Sequence, residues 1–542
     1  MIGFLSMVEK RFARPDQVSY FRGAPQATEG DFMAKNLSRR DFLETAFAAG
    51  AGLAAWGSAS RLAHSVTPPF PGPFAPTWDS LSNYQVPDWF RDAKFGVFMH
   101  WGVYSVPAHA SEWYPRLMYR KESPVFEWHR QHWGPQSMFG YKDFIPLFHG
   151  EHWRPDELVD LYRRAGAKYI IPVGEHHDGF PMYDSHLTEW CVARMGPRRD
   201  TIAEWAREVR NQGLKLGISS HRAFHWSYYT FEKDFDTSNP LYAGLYGPIH
   251  APTPLINQQP GQMVQEPSEE FIQDWFARCV EIVDLYRPDL FYFDWADIAP
   301  GFEPERKQFA AYYYNVAAQR GQDVVLTYKL TAYPEHAAVL NIERGLASGI
   351  RELPWQTGTS VSWKSWGYIE DDSFKSASLI IHEFIDIVSK NGNMSLNVGP
   401  RSDGTLPPEA EEIFRGIGRW MGVNGEAIYG TRPWKIFGEG PTTLASGSFG
   451  EEKLKDLSFT PQDVRFTTKG DTIYAILMAW PEQEAKIKAL GRNSKTAPAR
   501  ISSVSLLGSD ARVKWRQDPD ALVVEMPGEK PCGIAYALKI TT

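Results

Sequence analysis

The length and charge of the chain set the first limits on its class. Its 542 residues, 43% of them hydrophobic, exceed one ordinary domain and can bury a large core, which excludes a mainly disordered protein. The formal charge of −8 comes from mixed charges without long single-sign blocks, so the chain has no electrostatic footprint for nucleic acid or an anionic membrane.

The first 66 residues have the pattern of an N-terminal extension with an export signal. Arg39 and Arg40 precede Phe42, and a small-residue apolar run follows at 45–59, which resembles a twin-arginine signal peptide. Met33 is a candidate start. The signal pattern predicts a periplasmic or secreted protein. Because the apolar run is short and weakly apolar, we expect no integral membrane segment in the mature chain.

A Pro-rich linker at 67–88 is followed by short apolar runs that alternate with amphipathic helical patterns up to residue 434. Alternation of this kind predicts a parallel sheet, and polar clusters just after the strands favour a (β/α)8-like barrel. A doubly wound open sheet is the alternative, although no GxGxxG or P-loop follows any strand. Strands are predicted at 95–100, 169–173, 214–219, 289–293 and 324–328, and helices at 155–165, 201–212 and 269–286.

The pattern changes after residue 389. The segment 389–404, rich in Gly, Asn and Pro, is interpreted as a tight turn after a strand. From residue 435 the alternating runs at 472–478, 501–507 and 521–526 are short and separated by turn residues. They predict a C-terminal antiparallel β-sandwich over 435–542.

Polar and aromatic side chains cluster where predicted strands end. The apolar run that begins at Lys94 ends in His100 and Trp101, and the run that begins at Lys168 ends in His176 and His177. Imidazoles supply directional hydrogen bonds and indoles a flat apolar wall, so these clusters predict a site for a small, hydroxyl-rich ligand.

The spacing of the histidines and cysteines gives little support for a metal site. His221 and His225 follow another predicted strand and are weaker candidates for the same pocket. Adjacent His176 and His177 are compatible with metal binding, but no HExxH, facial-triad or cysteine partner spacing accompanies them, so we expect no metal. The cysteines are widely spaced, lack a CxxC pattern and give no disulfide framework.

A carboxylate stands at the mouth of the strand 289–293. Asp294 follows this strand directly, between Tyr292 and Trp295. Hydrolysis of a glycoside needs two facing carboxylates, which lie roughly 5 to 5.5 Å apart in the retaining mechanism. Sequence spacing alone leaves three partners open, namely Glu343, Glu352 and Glu112.

Six ordered motifs together resemble one known family, the α-L-fucosidases of glycoside hydrolase family 29. The resemblance extends from about Trp89 to Trp434. It is carried by WFRDAKFGVFMHWGVYSVPAHASEWY, EHHDGFPMYDS with GPRRD, FYFDW, PWQTGTSVSWKSWGY, VSKNGNMSLNVGPRSDGTLP and VNGEAIYGTRPW.

This resemblance implies a retaining double displacement on a (β/α)8-like barrel with a β-sandwich, without metal or organic cofactor, acting on fucosylated glycans. Asp294 matches the nucleophile position of the family. Tyr292 stands where the family usually has Trp, and we infer that Trp113 and Trp295 cover the methyl group of fucose. The positions that match residues binding the fucose hydroxyls are His100, Trp101, Glu112, Trp113, His176 and His177.

The place of the acid/base varies within the family. Some members have it in a segment like that around Glu343, and others have a Glu where this chain has Gln356. Gln cannot donate an acidic proton, so Glu343 is favoured, while Glu352 and Glu112 remain open. We expect burial and the charge of Asp294 to raise the pKa of the donor, whereas Asp294 stays ionised.

The sequence thus predicts an exo-acting α-L-fucosidase. A hydrolase of the same fold that acts on α-L-galactosides is an alternative, because a single extra hydroxyl is weakly rejected by an apolar pocket. The other alternative is a fucose-binding protein without catalysis, which Gln356 suggests.

Overall fold

The computed structural model describes residues 71–250, 255–259 and 262–542. The segment with the twin-arginine pattern lies outside the described residues, so the export signal stays a prediction. Among the described residues, no helix combines the length and apolarity needed to cross a membrane.

Eight parallel strands close into a barrel, as the alternating pattern predicted. In spatial order the barrel runs β1, β2, β3, β6, β7, β8, β9, β10 and back to β1, and β4 and β5 form a separate hairpin. The strands are β1 (Phe95–Met99), β2 (Tyr169–Glu175), β3 (Lys215–Ser220), β4 (Leu255–Gln259), β5 (Gln262–Gln265), β6 (Leu290–Phe293), β7 (Val325–Lys329), β8 (Val339–Glu343), β9 (Trp355–Ser360) and β10 (Gly392–Val398).

Capped amphipathic helices surround the barrel. The first of them, Pro155–Ala165, begins with Pro at its first position and ends at Gly166 in the left-handed conformation (φ 102°), which glycine adopts without strain. Ser268 caps Glu269–Tyr286 by accepting a hydrogen bond from the Phe271 amide. The other long helices are Thr201–Asn211, Glu303–Gln319, Ala377–Ser389 and Pro408–Asn424.

The second half of the barrel departs from regular strand–helix alternation. Within the described chain, residues 330–338 and 344–354 connect β7 to β8 and β8 to β9 without an α-helix. The prediction of a turn at 389–404 is wrong in part, because Gly392–Val398 is strand β10 and all seven of its residues are buried. Polar side chains fill the barrel here: the Asn341 amide donates to Gln356, and Gln356 donates to the Tyr169 hydroxyl.

Two antiparallel sheets form the C-terminal sandwich. The larger has the order β11, β12, β13, β18, β15 and the smaller the order β14, β17, β16. Alternate residues of both sheets, including Phe466, Leu477, Val524 and Leu538, share one apolar core. The strands are β11 (Arg432–Glu439), β12 (Val464–Lys469), β13 (Thr472–Leu477), β14 (Glu484–Ile487), β15 (Ser503–Leu506), β16 (Lys514–Gln517), β17 (Leu522–Glu525) and β18 (Tyr536–Thr541).

Candidate active site

A pocket opens at the C-terminal ends of the barrel strands, where parallel barrels place their sites. Its walls contain ten of the eleven residues selected from the sequence, drawn from segments more than 200 positions apart. They are His100, Glu112, Trp113, His176, His177, His221, Tyr292, Asp294, Trp295 and Glu343.

The eleventh residue, Trp101, does not line the pocket. Its indole packs between Phe148 and Trp153, and its Nε1 donates to the Arg401 carbonyl oxygen at 2.8 Å. Successive residues at a strand end face opposite sides, so His100 faces the pocket while Trp101 packs away from it. The expectation that Trp101 is a sugar ligand is therefore corrected to a supporting role.

Other weaker candidates also lie away from the pocket. Glu352 is exposed and precedes β9, whereas the pocket lies beyond the opposite end of that strand. Gln356 is inside the barrel near the start of β9. His225 is buried, and its Nδ1 bonds to the His177 carbonyl oxygen at 2.9 Å, so it supports His177 without lining the pocket.

Asp294 lies among three nitrogen-bearing side chains. Its Oδ1 is 2.6 Å from Lys329 Nζ, and its Oδ2 is 3.1 Å from His177 Nε2 and 3.4 Å from His221 Nδ1. Burial favours the protonated acid, but the Lys329 ammonium, followed by His221 and His177, outweighs burial and holds the pKa of Asp294 well below its usual range. The carboxylate is thus ionised and held in one orientation.

Glu343 approaches the same ammonium from β8. Its Oε2 is 2.8 Å from Lys329 Nζ. The distances of 2.6 and 2.8 Å add to about 5.4 Å, so Asp294 Oδ1 and Glu343 Oε2 lie no farther apart than that. This upper limit is no greater than the roughly 5 to 5.5 Å between the two carboxyl groups of a retaining glycosidase, and it is shorter than the roughly 6.5 to 9.5 Å of an inverting one.

Lys329 itself was not selected from the sequence, although a signal existed. It is the last residue of β7, and the argument that identified Asp294 after β6 applies equally to it. Burial alone would lower its pKa, but Asp294 and Glu343 raise the pKa of Lys329 well above its usual value. Phe98 and Trp366 are the other lining residues that sequence reasoning missed.

Three histidines form a neutral, hydrogen-bonding floor. Burial lowers the pKa of His100 and of His176 well below the usual value, and it lowers the pKa of His221 to about 4. His100 Nδ1 bonds to Asn397 Oδ1 at 2.7 Å, whereas the buried His176 Nδ1 has no partner within the described chain. A neutral imidazole can donate and accept, which suits sugar hydroxyls.

The same three rings could also hold a metal ion. His100, His176 and His221 each offer one ring nitrogen within 4.8 Å of the others. Neutral imidazoles are good ligands for Zn²⁺, but two of the rings already bond to protein groups, His100 to Asn397 and His221 to Ser219. His100 could bind a metal through Nε2 and keep its bond to Asn397, whereas both nitrogens of His221 already have partners, Ser219 at Nε2 and Asp294 at Nδ1, so metal binding would compete with the contacts of His221.

Glu112 lines the pocket, but one of its carboxylate oxygens is bound to the protein. Its Oε2 accepts hydrogen bonds from Ser365 Oγ and the Trp366 amide, both at 2.9 Å, and from the Gly367 amide at 3.4 Å. These contacts fix the loop that brings the Trp366 indole next to His100, with ring centroids 5.3 Å apart. Glu343, by contrast, shares the Lys329 ammonium with Asp294, which makes it the favoured partner of Asp294.

An apolar wall faces the histidine floor. The rings of Trp113 and Trp295 both pack on Phe224, with centroid distances of 5.7 and 4.8 Å. Trp113 also contacts the His177 ring at 5.1 Å. Two indoles held by a shared phenyl ring give a rigid surface for a methyl group or the apolar face of a sugar.

A segment of the C-terminal region supports Glu343 from behind. Residues 440–463, which link β11 to β12 and are called the arm below, run along the exit of β8. The Phe449 amide donates to the Glu343 carbonyl oxygen at 2.9 Å, and Glu451 binds Arg344 through both backbone and side chain. A Cβ on Gly345 would lie 2.0 Å from the Gly447 carbonyl oxygen, so only glycine permits this approach.

Comparisons with known proteins identify the family of the chain. The sequence profile of the alpha-L-fucosidase family matches residues 62–426, and that of the alpha-L-fucosidase C-terminal domain matches residues 458–541. The tissue alpha-L-fucosidase of Rattus norvegicus is 30% identical over 497 residues, covering 87% of this chain and 93% of the relative. That of Homo sapiens is 29% identical over 497 residues, covering 87% and 92%.

Solved structures give the same result. The crystal structure of Thermotoga maritima alpha-fucosidase has a TM-score of 0.68 and 27% identity, covering 86% of this chain and all of that one. The Thermotoga maritima alpha-fucosidase in complex with fucose has a TM-score of 0.66 and 27% identity, covering 86% and 99%. The chain therefore belongs to the α-L-fucosidases, the glycoside hydrolases of family 29.

Proposed function

We propose that this protein is an exo-acting α-L-fucosidase that removes a terminal fucose from oligosaccharides or glycoconjugates with retention of configuration. The observation that carries the proposal is the pairing of Asp294 and Glu343 about one ammonium group, with their oxygens at most about 5.4 Å apart. That spacing leaves no room for the intervening water that an inverting enzyme needs.

In the first step Asp294 attacks the anomeric carbon while Glu343 gives its proton to the leaving oxygen. Asp294 is suited to this role because its pKa is held well below the usual range, so it is ionised when the sugar enters. When Glu343 carries its proton, its attraction to Lys329 weakens, and the ammonium remains with Asp294 at 2.6 Å.

In the second step the glycosyl ester is hydrolysed. Glu343, now a carboxylate, takes a proton from a water molecule that attacks the same anomeric carbon, and Asp294 leaves. Lys329 stabilises the carboxylate that re-forms on Asp294, and His177 and His221 add hydrogen bonds to its other oxygen.

The walls of the pocket suit fucose. His100, His176 and His221 offer neutral donors and acceptors to the ring hydroxyls. The indoles of Trp113 and Trp295 offer apolar surface to the C5 methyl group. A hydroxyl added at this carbon would meet a mainly apolar surface, which rejects it only weakly, so α-L-galactosides should be poorer substrates than fucosides but should still be hydrolysed.

The stereochemical course tests the proposal directly. Proton NMR of an aryl α-L-fucoside digest should detect α-fucose first, with the β-anomer appearing only as mutarotation proceeds. The Asp294→Ala variant should lose turnover, and α-L-galactoside should be a poorer substrate. Early formation of β-fucose, or substantial turnover by Asp294→Ala, would refute the mechanism.

The proposal also includes a location, namely export of the protein to the periplasm or out of the cell. Arg39 and Arg40 with the apolar run 45–59 support a twin-arginine signal. Activity in a periplasmic fraction should be lost when both arginines are replaced by lysine in the full chain, while cytoplasmic activity persists. Unchanged periplasmic activity in that variant would contradict the export signal.

A further inference from the structure

A second cavity lies between the barrel and the C-terminal sandwich, apart from the fucose pocket. Its volume of about 600 Å³ is in the range of small-molecule sites, roughly 300–1,000 Å³. One wall is the loop after β9 and the start of the helix Ala377–Ser389, and the other is formed by residues 454–459, 478–480 and 533–536. Both structural parts of the described chain therefore contribute to it.

The charge of this cavity is the reverse of the charge of the chain. Two lysines, Lys455 and Lys530, line it, and no Asp or Glu is among its lining residues, although the chain has a net charge of −8. Within the described residues neither ammonium forms an ion pair with a carboxylate. Lys455 Nζ lies 4.7 Å from the Trp363 ring centroid and Lys530 Nζ lies 5.8 Å from that of Trp480. Both positive charges are thus available to an anion.

The N-terminus of the helix Ala377–Ser389 adds to the positive potential of the cavity. Ser378 and Leu379, in the first turn of Ala377–Ser389, line the cavity, and helix N-termini carry a partial positive charge. His382, one turn further, contributes no charge, because burial lowers its pKa to about 4 and its Nε2–H donates to the Met478 carbonyl oxygen. Ser376 already accepts a hydrogen bond from the Leu379 amide at 3.2 Å, so the main anion-attracting groups are the two lysines.

Aromatic rings form part of the remaining lining, beside aliphatic residues such as Leu454 and Leu457, and Trp480 and Tyr536 are 9% and 4% exposed. The rings of Trp480 and Tyr536 pack edge to face with centroids 4.7 Å apart, and Phe459 packs on His382 at 4.7 Å. Flat aromatic walls with peripheral hydrogen-bonding groups are typical of surfaces that bind sugar rings. An inorganic anion alone would leave this surface unused.

We infer that the cavity binds an acidic saccharide, meaning a sugar residue that carries a carboxylate or a sulfate. A glycan is favoured over other anions because the chain is a glycoside hydrolase and because one loop serves both sites. Trp363 lines this cavity, and Trp366, three residues later, lines the fucose pocket. The site extends the proposed function by a second, separate contact to an acidic glycan.

Calorimetry with probes that lack fucose tests the inference independently of catalysis. The probes are cellobiouronic acid with cellobiose as its neutral counterpart, and galactose 6-sulfate with galactose. Each acidic probe should bind about tenfold or more tightly than its neutral counterpart. The double variant Lys455→Gln, Lys530→Gln should lose about tenfold in affinity, whereas Lys486→Gln, an exposed lysine of the sandwich, should lose none.

Hydrolysis of a neutral aryl fucoside should be unchanged in both the double variant and the Lys486→Gln control, which shows that each is folded and that the fucose pocket is separate. Preference for only one acidic probe would identify the carboxylate or the sulfate as the ligand group. Equal binding of acidic and neutral sugars, full affinity in the double variant, or binding of GMP or inorganic sulfate but of neither acidic sugar would overturn the inference.

Discussion

Asp294 and Glu343 reach the same ammonium nitrogen from neighbouring parts of the barrel mouth, at 2.6 and 2.8 Å. A cation between two carboxylates allows both to be buried at close range, because each negative charge meets a positive one before it meets the other. The separation of the two carboxylates thus depends on Lys329 as much as on the acids themselves.

The first prediction concerns Lys329. Replacing it with Met removes the charge and should raise the pKa of Asp294, so the acidic limb of the pH profile of kcat/KM should move to higher pH. Activity at the optimum should fall by roughly 10²–10³-fold, as for other lost electrostatic partners of a reacting group. Lys329→Arg keeps the charge and should retain the position of the limb. An unshifted limb in Lys329→Met would mean that the ammonium does not control Asp294.

The second prediction separates Glu343 from its rivals. Glu343→Ala should lose roughly 10²–10⁴-fold in kcat/KM on fucosides with poor leaving groups and much less in kcat/KM on a dinitrophenyl fucoside, whose leaving group needs no proton. On the dinitrophenyl fucoside kcat should still fall, because hydrolysis of the glycosyl ester loses its general base. Azide should restore turnover by forming fucosyl azide, since azide attacks without a general base. Glu352→Ala, an exposed residue outside the pocket, is the matched control and should behave as the wild type. Failure of azide rescue would assign the acid/base elsewhere.

The strand–helix alternation and helix limits could be predicted because local signals set them. Pro155 and Gly166 bracket a helix that the structure reproduces residue for residue. Strands β8 to β10 could not be recognised in the same way, because their interior positions are polar. Asn341 on β8 donates to Gln356 on the adjacent strand β9, so polar residues occupy buried positions and the sequence lacks the apolar run of a buried strand.

Within the site, residues at strand ends could be identified, but their partners could not. His100 and Asp294 follow apolar runs directly, whereas the contact between Arg344 and Glu451 joins positions 107 apart in sequence. No local pattern encodes such a pairing. Trp101 was misassigned for a related reason, since sequence proximity to His100 does not determine which way a side chain faces at the strand end.

The third prediction concerns the arm. Glu451 is buried, with Oε1 2.5 Å from Arg344 Nη1 and Oε2 2.7 Å from Lys375 Nζ, and Arg344 lies over the Trp366 ring at 4.6 Å. Glu451→Gln leaves two buried cations underneutralised, which should cost about 3–5 kcal/mol and lower Tm by several degrees.

Because the arm positions the backbone of Glu343, Glu451→Gln should also slow substrates with poor leaving groups more than dinitrophenyl fucoside. The neighbouring exposed residue provides the control, Glu452→Gln, which should change neither Tm nor the ratio of the two rates. Equal slowing of both substrates would indicate a general folding defect rather than misplacement of Glu343.

The fourth prediction concerns metal ions. The family resemblance implies catalysis without metal, so dialysis against EDTA should leave kcat/KM unchanged. Added Zn²⁺ should inhibit competitively with the fucoside, because His100, His176 and His221 place three neutral ring nitrogens within 4.8 Å of one another in the pocket. His176→Asn should weaken Zn²⁺ inhibition. Activity lost to EDTA and regained with a metal would show that the site works as a metal centre.

The last prediction concerns Asp297. This buried acid lies beside the site and has no role in the proposed mechanism. Neither of its carboxylate oxygens has a hydrogen-bond partner in the described part of the chain. Burial raises its pKa to about 7, opposed by the charge of Arg306 and reinforced by that of Asp294. In the unfolded chain an Asp titrates near about 3.9, so the folded state binds one proton more than the unfolded state between these two values.

The free energy of unfolding should therefore fall as pH rises from about 4 to about 7, by an amount on the order of a few kcal/mol. Asp297→Asn cannot ionise, so its Tm should exceed that of the wild type by several degrees at pH 8, and the difference should shrink towards pH 5. Asp371→Asn changes a fully exposed carboxylate and should give no such pH-dependent gain. If the Tm of Asp297→Asn followed that of the wild type in parallel over this range, Asp297 would have to be ionised in the folded protein, stabilised by a partner or by solvent.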